Sequence, residues 1–263
     1  MCFYYAVLKV DARRLVANNI IKEQQLNLFE DQYFVSGFDF PQMPVISNED
    51  QENIQLFHWG FVPPYTKSKE KAKEFLLKYN TLNAKSETVF ESKLFSSSIK
   101  KKRCLVLCSG FFEWRQKEPG KKSTLKYPFY VTLKDESMFV FGGIWEEFTD
   151  VTDGEIVKTY SILTTTANEL TSIVHNSKKR MPLIIDPDHA MEWLSDSLSG
   201  EKIKSFFKPF DAEKMKARPI ARINPRMAES YNNPGVNAYY EYSDLKEFLT
   251  MYPHFFEESA DLR

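Results

Sequence analysis

The sequence predicts an α+β fold, with a curved, mainly antiparallel sheet or barrel-like β core and peripheral helices. Two observations carry this. Short aromatic and β-branched runs recur along the whole chain, and the few helical segments do not alternate with them as βαβ units. No Gly/Pro/Ser-rich hinge interrupts the pattern, so a single domain over residues 1–263 is expected.

The elements follow in chain order. Residues 1–10 read as a strand. A weaker helical pattern covers Asp11 to Leu26. Residues 54–62 form a strand that Pro63-Pro64 must end, since proline cannot donate to a sheet ladder. From Ser68 to Tyr79, Ala72, Phe75, Leu76 and Tyr79 share one helical face, with lysines opposite and Ser68 placed to cap. Runs over 103–114, 128–133, 138–145, 160–166 and 181–185 are strand-like. Between the last two, Thr166 to His175 predicts a helix with Thr166 as its cap. Asp186-Pro187 opens another towards Leu198, with proline suited to the first helical position. Ser243 to Met251 predicts a C-terminal helix.

With 43% hydrophobic residues, among them 22 Phe and 13 Tyr, the chain can bury a sizeable core, which excludes wholesale disorder. No apolar run is long enough for a transmembrane helix, and the start lacks a signal-peptide pattern, so a cytoplasmic protein is expected. Cys2, Cys104 and Cys108 cannot make a disulfide framework and fit a reducing compartment. The net charge is −1, yet residues 66–126 hold 16 Lys/Arg against 6 Asp/Glu. Such asymmetry permits an anionic ligand on one face, although solvated lysines would give the same count.

A chain that starts at Cys2 after loss of Met1 carries an amine and a thiol on adjacent carbons. An α-amine has a pKa of ~7.7–8.0 against ~10.4 for lysine, so part of it is neutral at pH 7 and can attack an aldehyde. The thiol can then close a five-membered thiazolidine. Cys2 reads equally as a buried thiol beside a strand. His175 ends a helix just before the basic run Lys178-Lys179-Arg180, where a general acid or base or a structural histidine would fit. Glu113, between Phe112 and Trp114, is exposed to desolvation that would raise its pKa, unless the strand turns it to solvent. Asn83 follows a helix and can orient a substrate or close a turn. His58, His189 and His254 read as structural or surface residues. Cys104 and Cys108, four apart on a strand, stand roughly 13 Å from each other, too far for one tetrahedral ion, so no metal is expected. Neither a dinucleotide fingerprint nor a P-loop is present, so no nucleotide cofactor is expected.

Taken together, the ordered blocks resemble the SOS-response-associated peptidase (SRAP) family. They are Met1-Cys2, then His58-Trp59-Gly60-Phe61-Val62-Pro63, similar to W-G-x-x-P, and Asn83-Ala84-Lys85-Ser86-Glu87, similar to N-A-R-x-E. Arg103-Cys104-Leu105 with Gly110-Phe111-Phe112-Glu113-Trp114 resembles R-C-L/I…G-F-[FY]-E-W. Leu163-Thr164-Thr165-Thr166-Ala167-Asn168 with His175 and Arg180-Met181-Pro182 resembles L-T-T-x-A-N…H-x-R-M-P. The resemblance implies an SRAP-like fold and a protein that crosslinks to abasic sites in single-stranded DNA, with self-processing peptidase and abasic-site lyase activities, no cofactor and a monomeric state. It implies Cys2 as nucleophile, Asn83 as orienting residue, Glu113 as proton shuttle and His175 as general acid or base. DNA contacts are expected from Lys85 and Arg180, with Trp59, Phe61 and Tyr65 stacking on bases. A nucleoid association would follow in a bacterium. This chain departs from the family in Phe3-Tyr4, where many members have Gly-Arg, in Lys85 for Arg, and in a longer loop, Asn176 to Lys179, before Arg180. Two other readings predict different chemistry: an N-terminal-cysteine amidohydrolase of the glutaminase kind, and a non-enzymatic nucleic-acid-binding module.

Overall fold

The computed structural model describes residues 2–121 and 124–256. Met1, whose removal is expected, lies outside them. The described strands are β1 (Tyr4–Val7), β2 (Gln32–Ser36), β3 (Gln42–Ser47), β4 (Gln55–Trp59), β5 (Asn83–Lys85), β6 (Arg103–Cys108), β7 (Gly110–Gln116), β8 (Lys126–Leu133), β9 (Phe139–Thr149), β10 (Ile156–Thr166), β11 (Arg180–Pro182), β12 (Ile184–Ile185) and β13 (Met215–Pro219). β10, β4, β3, β6 and β9 pair in that order, and β9 pairs back onto β10, closing a five-stranded barrel. β13, β8, β7, β1 and β2 form a second, antiparallel sheet. The barrel is less uniformly antiparallel than expected. β4 and β5 both run parallel to β10, because each arrives by a long crossover, from β4 through the helix Lys69–Lys78 to β5.

The strands bury what their patterns require. β6 is buried at every position, and from Cys104 to Cys108 it reads as a continuous apolar run. On β7, Phe111 packs into the main core, while Phe112 joins Tyr4, Phe34 and Tyr130 on the opposite face. A single residue, Ser109, separates β6 in the barrel from β7 in the sheet, and there the backbones crowd. A Cβ on Gly110 would overlap the Tyr130 ring. Inside the barrel the Tyr5 and Tyr160 hydroxyls share a hydrogen bond of 2.8 Å, so neither polar tip is stranded in the core.

Helices are shorter than the periodicity suggests. Lys69–Lys78 forms as expected, with the Ser68 hydroxyl accepting from the Lys71 N–H. The helix before His175 is confined to Glu169–Val174 and is capped by Asn168 rather than Thr166, since Thr166 is still paired with Arg180 in the sheet. Between Asp11 and Leu26 the helix is only Arg13–Ala17, stopped as Asn19 turns left-handed with φ 55°. The segments after Pro187 and Ser243 begin as single 3-10 turns, leaving helices Ala190–Trp193 and Lys246–Thr250. No described helix is long and apolar enough to cross a membrane.

Arg103 at the start of β6 is fully buried, and its guanidinium donates to the carbonyls of Ile99, Lys100, Trp193 and Ser195. Arg103→Met would strand those oxygens without donors. A loss of on the order of 3 kcal/mol or more is expected, read as a lower urea midpoint at an unchanged slope.

Candidate active site

Strand register brings the chain start to Glu113. In the β1–β7 pair, Tyr5 faces Phe111 and Ala6 faces Gly110. Extending that antiparallel register back past Tyr4 sets Phe3 and Cys2 beside Glu113 and Trp114. Cys2 is fully buried, its thiol directed at the Tyr4 carbonyl, 3.8 Å away. Burial pushes the thiol pKa well above the ordinary value, and the negative charge of Glu113 adds to the rise. The Asn83 side-chain amide, on β5, donates to the Cys2 carbonyl at 2.7 Å. Its Oδ1 is buried and has no hydrogen-bond partner among the described residues.

Glu113 is only 5% exposed. Alternation along β7 turns Phe112 and Trp114 to the other face, so the carboxyl is desolvated by the core side of the sheet and not by those two rings. Burial raises its pKa from 4.5 to about 7, against the opposing effect of the Trp114 backbone N–H and the Lys178 charge. His175 closes the helix Glu169–Val174 and is 7% exposed. Its Nδ1 lies 3.1 Å from the Arg180 carbonyl and 3.5 Å from Glu113 Oε1. A carbonyl can only accept, so Nδ1 carries the proton and Nε2 is the basic nitrogen of the neutral ring. Burial lowers the His175 pKa from 6.5 to about 4, with the Lys178 charge acting the same way. Near neutral pH the pair is therefore an acid poised to give a proton and an imidazole poised to take one.

Glu113 and His175 line a cavity of about 510 Å³, bounded also by Tyr4, Trp114 and three basic side chains, Lys126, Lys178 and Arg222. The sequence offered Lys126 only as one of the basic residues of 66–126 and singled out none of the other four as a site residue. Lys178 stands in the basic run after His175, and Trp114 in the same block as Glu113, so both were within reach of the motifs. Lys126 opens β8 and Arg222 lies in the segment after β13, which only the fold brings to the cavity.

The expected DNA contacts fare unequally. Trp59 is fully buried in the barrel, its indole N–H donating to the Leu82 carbonyl at 2.9 Å, and Phe61 is buried as well. Neither ring has a face for a base, which corrects the stacking role expected of them. Tyr65 is 72% exposed, and Lys85 is exposed on β5. Arg180 is committed within the protein, with a bidentate pair to Glu87 at 2.7 and 2.9 Å and a further bond to the Thr164 carbonyl. It ties β11 to β10 and to the segment after β5. Cys104 and Cys108 are buried thiols with raised pKa values, and no metal-binding cluster occurs among the described residues.

Comparison with known proteins finds relatives in sequence and in structure. The abasic site processing protein YoqW of Bacillus subtilis (strain 168) is 27% identical over 197 residues, covering 72% of this chain and 82% of that protein. The abasic site processing protein HMCES of Gallus gallus is 31% identical over 168 residues, covering 56% of this chain and 47% of that one. A crystal structure of a protein from Bacteroides thetaiotaomicron aligns with a TM-score of 0.75 at 35% identity, over 91% of this chain and 100% of the other. One from Bordetella bronchiseptica, 22% identical, shares the fold with a TM-score of 0.66 over 84% of this chain and 100% of that one. The family model described as SOS response associated peptidase (SRAP) matches residues 1–224, and the chain belongs to that family.

Proposed function

We propose that this protein processes abasic sites in single-stranded DNA, forming a covalent thiazolidine with the abasic sugar through Cys2 once Met1 is gone. The observation that carries the reading is the placement of Cys2, held by Asn83, next to Glu113, which with His175 lines the cavity. An abasic deoxyribose interconverts between a closed hemiacetal and an open aldehyde. Protonated Glu113 donates to the ring oxygen, and neutral His175 takes the hydroxyl proton, which opens the ring. The Cys2 amine adds to the aldehyde and water leaves, giving an imine. The thiol then adds across the C=N bond, its sulfur bonding to carbon and its proton going to nitrogen.

The high thiol pKa fits this order. A thiol held protonated by burial is a poor first nucleophile, so the amine attacks first and the thiol serves for ring closure. The neutral imidazole also supports the lyase part of the proposal. From the imine it can remove a C2′ proton, and the 3′ phosphate leaves by elimination. For the peptidase part, the Cys2 thiol would attack the Met1 carbonyl, the Cys2 amine would leave, and water would hydrolyse the resulting thioester to release Met1 and the free thiol. One copy of the chain supplies every group named, which fits action as a monomer.

The test is incubation of Met-free protein with single-stranded DNA carrying one abasic site. A heat-stable adduct is expected, absent with undamaged DNA. Release of ammonia from glutamine without any adduct would favour the amidohydrolase reading. Salt-sensitive binding with no adduct and no preference for abasic DNA would favour the binding module.

A further inference from the structure

Several lysines of residues 66–126 are held in ion pairs away from the cavity. Lys69 pairs with Asp153 and Glu155, Lys102 with Glu146, and Lys117 with Asp244. Lys126 and Lys178 line the cavity and make no ion pair among the described residues. Arg222, also at the cavity, lies against the Tyr242 hydroxyl.

Lys178 is held in place. It sits in a turn that the Lys179 N–H closes onto the His175 carbonyl at 3.0 Å, with Lys179 in the left-handed region at φ 49°. The Lys179 carbonyl accepts from the Ala167 N–H at 3.1 Å. Asn176 pins the turn to the edge of β7. Its Oδ1 accepts from the Gln116 N–H at 2.9 Å, and its Nδ2 donates to the Gln116 carbonyl at 2.8 Å. That amide makes both bonds a neighbouring strand would make. The loop between His175 and Arg180 is therefore a built support that carries a cation to the cavity. The floor beneath it holds the buried Glu113 and His175 side chains. A cavity with cations at its rim and a Trp114–Tyr4 wall suits an anion attached to a flat or sugar-like body.

We propose that Lys178, with Lys126 and Arg222, forms a phosphate-binding subsite at the cavity mouth, which grips the backbone phosphodiester next to the sugar presented to Glu113 and His175. This rests on the reading of the protein as an abasic-DNA processor and adds the residues that set the strand's register in the site.

The experiment measures binding, not chemistry. A single-stranded oligonucleotide with a tetrahydrofuran abasic analogue cannot react. A second one replaces the phosphates flanking the analogue by uncharged methylphosphonates. Lys178→Met is expected to weaken binding of the first roughly 3- to 10-fold at low salt and to lower the slope of log K against log salt by about 0.7. Lys178→Arg should bind like the parent protein, as should Lys208→Ala in a separate cleft. On the methylphosphonate oligonucleotide the Lys178→Met penalty should vanish. Unchanged affinity and slope in Lys178→Met, an equal loss on both oligonucleotides, or no binding by the parent protein would each overturn the subsite. Adduct formation with a natural abasic site, assayed in parallel, reports separately on the Cys2 chemistry. Its absence with the binding pattern intact would sink that chemistry and still support the phosphate grip.

Discussion

Cys2→Ala is expected to abolish the heat-stable DNA adduct, a fall of about 100-fold or more, while leaving noncovalent DNA binding in place. The substitution keeps a free α-amine, so an imine can still form, but nothing can close the ring. Hydrolysis of the imine then returns protein and DNA. Borohydride, which reduces an imine to a stable amine, should rescue a crosslink in Cys2→Ala and in Cys2→Ser alike. A chain that retains Met1 should give neither product at this site, because the Cys2 nitrogen is then an amide. The three proteins separate amine from thiol: gel-stable adduct without reductant requires both, borohydride-dependent adduct requires the amine alone. An ordinary yield of heat-stable adduct from Cys2→Ala would refute the thiazolidine.

The second large effect belongs to Glu113. Replacing a general acid–base group costs about 10²- to 10⁴-fold in rate, and Glu113→Gln is expected to slow adduct formation within that range. The pH profile carries the finer prediction. Burial raises the Glu113 pKa from 4.5 to about 7, so its proton is present below that value and lost above it. The Cys2 amine works the other way, gaining its neutral form towards ~8. The parent protein should therefore show a bell with its maximum near neutral pH, and Glu113→Gln should lose the alkaline limb and keep the rising one. His175, lowered from 6.5 to about 4, remains neutral through this window and should not add a limb near 6.5.

Stability follows the same signs. A raised Glu113 pKa favours the folded state fully below 4.5, and that contribution is lost as pH rises through about 7. Glu113→Gln should therefore unfold at higher urea than the parent protein on the alkaline side. A lowered His175 pKa contributes above 6.5 and is lost as pH falls towards 4, so His175→Gln should soften the acid limb of the stability curve.

The β core was legible because strands buried on both sides, such as β6 from Cys104 to Cys108, read as unbroken apolar runs. Barrel closure was not, since pairing β9 with β10 and running β4 parallel to β10 are relations between distant segments that leave no local mark. The residues that meet at the candidate site, Cys2, Asn83, Glu113 and His175, were each picked out by ordered motifs. What each motif residue does was harder to read. Trp59 and Phe61 sit in the block similar to W-G-x-x-P yet serve the core: β4 ends at Trp59, short of the prolines, and Phe61 beyond it packs edge-on against Phe95. Lys178 escaped notice for the opposite reason. A lysine in a basic run looks like solvated surface until Asn176 is seen tying its loop to β7.

Mass spectrometry of the crosslinked, protease-digested protein tests the proposed chemistry most directly. The expected product is an N-terminal peptide beginning at Cys2, without Met1, that carries the sugar remnant bridged between its α-nitrogen and Sγ. A remnant on a lysine, or an N-terminal peptide that is unmodified and still bears Met1, would contradict it.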